Sequence, residues 1–203
     1  KYTGPVSVTL STTGINEEIR YTTNGSTPTA TSTLYTGPIN ITLSTVLRAR
    51  CFSTVAGILP GFIETNTYFI NDNSSLPVVS ISGDANLLQL LNGTQIEPTG
   101  YLEYFESNGT FVDENMGDFD KHGNDSWAYD QRGIDFISRD DHGYKRRLDH
   151  QFFNTTDRTK YRRLILKAAG SDNYPHQSGG AHLRDVFAQK LSEVSNLELD
   201  ERR

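Results

Sequence analysis

Over the first seventy residues, apolar and polar side chains alternate in short runs, and no helical stripe interrupts them. The runs are VSVTL (Val6 to Leu10), EIRYTT (Glu18 to Thr23), PINITL (Pro38 to Leu43), TVLRARCF (Thr45 to Phe52) and TNTYFI (Thr65 to Ile70). Period-two alternation puts Val6, Val8 and Leu10 on one strand face, and Ile39, Ile41 and Leu43 on another. Asn24-Gly25 and Gly37-Pro38 mark turns, and Gly25 is free to take a positive φ. Short strands with this punctuation predict an antiparallel β-sandwich.

The bulk properties narrow the classes of function. The chain has 203 residues, enough for two small domains, and a formal net charge of −6. An acidic chain lacks the broad basic face that phosphate neutralisation needs, so no nucleic-acid partner is expected. The local exception, KRRLDHQFFNTTDRTKYRR (Lys145 to Arg163), reads as a solvated hairpin. No run approaches the roughly 18 apolar residues of a membrane helix, so no membrane span is expected. The chain starts at Lys1, without Met or a leader, which reads as a piece of a longer protein. Cys51 is the single cysteine and cannot form an internal disulfide; its alternating surroundings predict a buried core thiol.

IRYTTNGSTPTATSTLYTGPINITLSTVLRARCF resembles the chitobiase/β-hexosaminidase C-terminal-type domain, an immunoglobulin-like module. The resemblance rests on Tyr21-Thr22, the turn Asn24-Gly25-Ser26-Thr27-Pro28-Thr29, Tyr35-Thr36-Gly37-Pro38-Ile39, and a strand carrying Arg48-Ala49. It covers roughly residues 1–71, within a first domain expected at 1–73, and implies an accessory module rather than a catalyst. Tyr2, Tyr21, Tyr35 and Tyr68 are candidate sugar platforms, Tyr21 and Tyr35 foremost, though each ring can equally pack along the sandwich. Sequons at Asn24, Asn40, Asn73, Asn92, Asn108, Asn124 and Asn154 are glycan acceptors in a eukaryotic secreted protein and mere composition in a bacterial one.

A polar tract, Asn71 to Ser75, separates this unit from residues 74–203. Asp84 is placed to cap a short helix carrying Leu87, Leu88, Leu90 and Leu91, stopped by Asn92-Gly93. Gly100 to Val112 reads as a hairpin turning at Asn108-Gly109, and Arg132 to Leu148 as a second. Tyr161 to Gly170 reads as a strand with Leu164 and Leu166 on one face. Leu183, Val186, Phe187, Leu191 and Val194 fall at helical spacing over Gly179 to Leu197, predicting a long packed helix. The second half is therefore expected to be α+β, an antiparallel sheet with one long helix.

YLEYFE, KHGNDSWAYDQRGIDF, RRLILKAAGSDNYP, GGAHLRDVFAQKL and LELDERR resemble, in order and spacing, the N-terminal portion of the CotH-like (spore-coat protein kinase) family, with a kinase-like fold. The resemblance implies phosphoryl transfer from ATP, with Mg²⁺ or Mn²⁺, to a protein substrate in the full-length chain. It implies a nucleotide loop at Gly123-Asn124-Asp125-Ser126, with Arg132 where the family carries lysine. An arginine binds phosphate as a fork rather than a point charge, so that exchange is not conservative. Asp172, Arg184 and Asp185 flank a Gly-rich turn into the predicted helix, a place for an anion or for helix capping and a salt bridge. The family's metal motif and catalytic aspartate lie beyond Arg203, so this piece is expected to bind no cofactor and to be inactive alone. The alternative is a bacterial surface protein whose degenerate kinase-like domain serves adhesion or polysaccharide binding. Either reading implies a secreted or cell-surface location.

Three local features complete the reading. DENMGDFD offers Asp113, Glu114, Asp118 and Asp120 to a Ca²⁺ ion, or is a solvated acidic loop. His122, His142, His150, His176 and His182 show no zinc-ligand spacing, so no metal residue is assigned. Trp127 beside Tyr129 is a ligand platform or a core anchor.

Overall fold

A computed structural model describes residues 1–124, 127, 132–142, 145–154 and 156–167, together with 187, 190 and 191. Among the described residues the chain is mostly β-sheet, with one short α-helix of seven residues, Ala85–Leu91.

The N-terminal unit is a β-sandwich. Strands β1 (Val6–Val8) and β4 (Ile39–Ile41) pair antiparallel as one sheet. The other has the order β3-β2-β5-β6, from β2 (Glu17–Thr22), β3 (Thr33–Leu34), β5 (Thr45–Ser53) and β6 (Ile63–Tyr68). Alternation puts Ile39, Ile41 and Leu47 between the sheets with Ile70, and Val6, Val8, Leu10, Tyr21, Tyr35 and Tyr68 pack around them. The two ends of the unit lie side by side: Tyr2 N–H donates to Phe69 O and Asn71 N–H to Tyr2 O, both at 2.8 Å, in a parallel bridge of Tyr2 with Ile70.

Two expectations for this unit are corrected. Leu43 does not share the inward face of Ile39 and Ile41: β4 ends at Ile41 and Leu43 is 75% exposed in the turn to β5, its carbonyl accepting from Thr45 Oγ1. Cys51 is half-buried rather than buried: it alternates in step with Leu47 on β5 but lies beyond the core cluster, near the end of the strand where Gly61 N–H donates to Cys51 O.

The second unit is a five-stranded antiparallel sheet of order β13-β10-β9-β8-β7. Its strands are β7 (Val78–Gly83), β8 (Thr99–Phe105), β9 (Phe111–His122), β10 (Gly133–Ser138) and β13 (Arg163–Leu166). Helix α1 (Ala85–Leu91) follows β7 and is capped as its sequence predicts, with Asp84 accepting from Asn86 N–H at 2.9 Å. Leu87 and Leu90 of α1 pack with Leu102, Phe119, Trp127, Ile134, Phe136 and Leu164 on one face of the sheet.

The register overturns the predicted Arg132–Leu148 hairpin. β10 pairs with β9 and β13, whereas β11 (Leu148–Asp149) pairs with β12 (Lys160–Tyr161). The cause is the length of β9, which continues through the acidic run to His122 and so offers β10 a full-length partner. The basic stretch Lys145 to Arg163, expected as a solvated hairpin, contains the β11–β12 pair; Arg146 and Arg147 are exposed, but Leu148 and Tyr161 are buried in the second core. No long helix is present among the described residues. The Gly179–Leu197 segment lies outside them except for Phe187, Lys190 and Leu191, which are helical; Phe187 is 67% and Leu191 54% exposed, so these two do not form the packed stripe expected of them. Among the described residues no helix is long and apolar enough to cross a membrane.

Candidate functional site

In the sandwich, the residues that carry the family signature are joined by one buried cation. Arg48, 1% exposed, donates from Nη1 to Gly25 O at 3.1 Å and Thr27 Oγ1 at 3.3 Å, and from Nε to Thr65 Oγ1 at 3.2 Å. A buried guanidinium needs its donors satisfied, and the turn supplies acceptors only because Gly25 holds φ +76° and turns its carbonyl inward. Tyr21 and Tyr35 are half-buried against the core, and the Tyr35 hydroxyl accepts from Leu10 N–H at 3.1 Å. Tyr2 and Tyr68 stack instead, with centroids 6.0 Å apart, and Tyr2 is 43% exposed.

At the far end of the second sheet, Gly123 and Asn124 follow β9 and are exposed; Asn124 O accepts from Trp127 N–H. Ser126, Asp172, Arg184 and Asp185 lie outside the described residues. Arg132 is engaged with backbone: Nε donates to Trp127 O at 3.2 Å and Nη1 to Leu91 O at 3.3 Å. Leu91 O belongs to the last turn of α1, where a cation meets the negative end of the helix dipole. Gly93 holds φ +100°, a conformation that favours glycine, and its missing Cβ leaves room for the Arg132 guanidinium, which would otherwise lie about 2.9 Å from it. Trp127 is a core anchor, 8% exposed, with Nε1 donating to Gly133 O at 3.0 Å. Lys121 and Arg132 both lie over its ring, at 5.5 and 5.9 Å.

Beside this loop is a cluster that sequence reasoning missed. Asp135, 1% exposed, has Oδ1 3.1 Å from His122 Nδ1 and Oδ2 paired with Arg163. The pair is a product of register, since Gly133 lies opposite His122 and Asp135 opposite Asp120. The His122 contact is one of proximity, since Asp135 Oδ1 is buried and makes no hydrogen bond with any described residue, so the firm partner of this carboxylate is Arg163. One signal was visible in the sequence: Asp135 is a lone charge inside the otherwise apolar run Ile134 to Ile137.

The acidic run is not a calcium loop. As part of β9 it alternates, so Asp113 faces one side of the sheet while Glu114, Asp118 and Asp120 face the other. Asp113 is paired with Lys145 and accepts from Asp149 N–H at 2.6 Å, and Asp118 accepts from Arg139 Nε at 2.5 Å. Among the described residues no group of three or more His, Cys, Asp or Glu is placed to hold a metal ion.

The two units meet through a buried carboxylate. Glu103 on β8, 1% exposed, accepts from Thr67 N–H at 3.0 Å and Thr67 Oγ1 at 2.5 Å on β6, and Thr67 Oγ1 lies 2.7 Å from Ser80 Oγ. Phe69 meets Phe105 edge-on, with centroids 5.0 Å apart. Glu114 stands directly across from Glu103. Burial pushes the Glu103 carboxyl up from its ordinary range, against the hydrogen bonds from Thr67. Burial likewise raises Glu114 to about 7, with Tyr101 hydrogen bonding opposing and Glu64 and Glu103 adding to the rise. Above this joint is a cleft of about 390 Å³, lined by Asn24, Gly25 and Ser26 of the sandwich turn and by Ser82, Leu87 and Leu91 of the second unit.

The family model of the chitobiase/beta-hexosaminidase C-terminal domain matches residues 1–57. No curated protein and no solved structure matches the chain. The matched segment contains the Gly25 turn and Arg48, the two sides of the buried pin; the sandwich continues past it through β6, which completes the sheet beside β5.

Proposed function

We propose that this chain is part of a secreted or cell-surface protein in which an accessory sandwich precedes a CotH-like domain, and that the full-length protein transfers phosphoryl groups to a protein acceptor. The observation that carries this reading is the five-stranded antiparallel sheet. YLEYFE, KHG and RGIDF, all within the segments that resemble the family, fall on or at the ends of its adjacent strands β8, β9 and β10, and residues 123–132 link β9 to β10 in sequence.

The described residues do not fit a divalent metal, and Arg132 is engaged with Leu91 O and Trp127 O, so no step of transfer is derived from them. That engagement favours a second reading, in which a degenerate kinase-like domain and the sandwich bind a surface polysaccharide without catalysis. The deciding assay offers labelled ATP with Mg²⁺ or Mn²⁺ to the natural full-length protein and a generic protein acceptor. Incorporation is expected. No incorporation under either metal, combined with retention of this chain on polysaccharide resin, overturns transfer in favour of binding.

A further inference from the structure

We propose that the contact between Glu103 and Thr67 is a proton-controlled joint, which holds the sandwich against the second sheet when Glu114 is protonated and loosens when Glu114 ionises. The proposal is independent of the function suggested above. It rests first on position. Glu103 and Glu114 are cross-strand partners on β8 and β9, and like charges directly opposite each other are unfavourable. Glu103 is also the residue that reaches across to the sandwich, with both carboxylate oxygens accepting from Thr67.

The charged and titratable groups around the pair come from every side. From β6, Glu64 acts on both carboxylates and Tyr68 faces Glu103; from β5, Arg48 acts on Glu103. From β8, Tyr101 hydrogen-bonds Glu114, and Lys145 is the cation that acts on it. Three carboxylates thus converge where the nearest cations, Arg48 and Lys145, are occupied with Gly25 O, Thr27 and Thr65 in one case and Asp113 in the other.

The sign follows from linkage. With the joint closed, Glu114 titrates at about 7, above the ordinary 4.5 it regains when water enters. The closed state therefore binds the extra proton, and stability present at low pH is lost as pH rises towards the closed-state value. Glu103, raised by burial, acts in the same direction.

The test is amide exchange of Thr67 by NMR on this chain, corrected for the intrinsic rate at each pH. Protection of the Thr67 amide is expected to fall by roughly 50-fold to 100-fold between about pH 5 and about pH 8, as a group moved from 4.5 to about 7 requires, while Leu47 in the sandwich core keeps its protection. Glu114→Gln should flatten the profile and Glu64→Gln should make it shallower. The Glu64 variant alters an exposed residue and so decides the matter if the Glu114 variant does not fold. A flat wild-type profile, an equal fall in both variants, or a Leu47 amide that falls in step with Thr67 would each overturn the joint.

Discussion

In the sandwich, four buried aliphatic residues, Ile39, Ile41, Leu47 and Ile70, form the centre, and the largest fully buried side chain nearby is a charged one, Arg48. The second sheet instead buries ten residues in one cluster, with Phe119 and Phe136 in ring contact at 5.0 Å and Trp127 beside them. One interior is small and pinned by hydrogen bonds from a guanidinium; the other is larger and packed from aromatic and aliphatic surface. The difference teaches that the signature of the first unit records polar geometry, whereas the second unit records burial. A small core gains from a satisfied polar network because it fixes one arrangement of loops, and it suffers if that network is left incomplete.

The single tryptophan lies in the second core and the single cysteine in the sandwich, so each interior carries its own probe. The largest effect is expected from Phe136→Ala, which opens a cavity and should cost about 3–5 kcal/mol. Trp127 fluorescence should show it as a lower denaturant midpoint, with a smaller change in Cys51 thiol labelling. Equal shifts of both probes would break the comparison, because the two interiors would then melt as one. Next comes Arg48→Ala, which leaves Gly25 O and the Thr27 and Thr65 hydroxyls without their shared donor and should cost about 2–3 kcal/mol. Here Cys51 labelling should move first. Asp84→Ala should have the smallest effect, about 1 kcal/mol, through the lost cap of α1, read by Trp127 alone.

Legibility in the sequence follows the same division. Val6, Val8, Ile39 and Ile41 alternate in strands that bury one face, so the sandwich could be read directly, as could Asp84 and the Asn108-Gly109 turn. Leu43 misled because alternation does not say where a strand stops. β9 was underestimated because DENMGDFD is too polar to look like a strand, yet its carboxylates are held by Lys145 and Arg139 from elsewhere in the chain. Missing that length also displaced the partner of β10. Asp135 stood out locally as a lone charge in an apolar run, but its partners His122 and Arg163 follow from register, and the Glu103 joint from the approach of two units, which local pattern does not carry.

The parallel bridge at Tyr2 and Ile70 has a mechanical consequence. The chain enters the sandwich past Tyr2 and leaves past Ile70 in the same direction, so tension along the polypeptide slides these two segments against each other. Both hydrogen bonds between them, Tyr2 N–H to Phe69 O and Asn71 N–H to Tyr2 O, are then loaded together in shear. A hairpin pulled from its open end loses its bonds one after another; this clamp must lose both at once. A module closed in this way resists pulling along its own axis more than its small core would suggest.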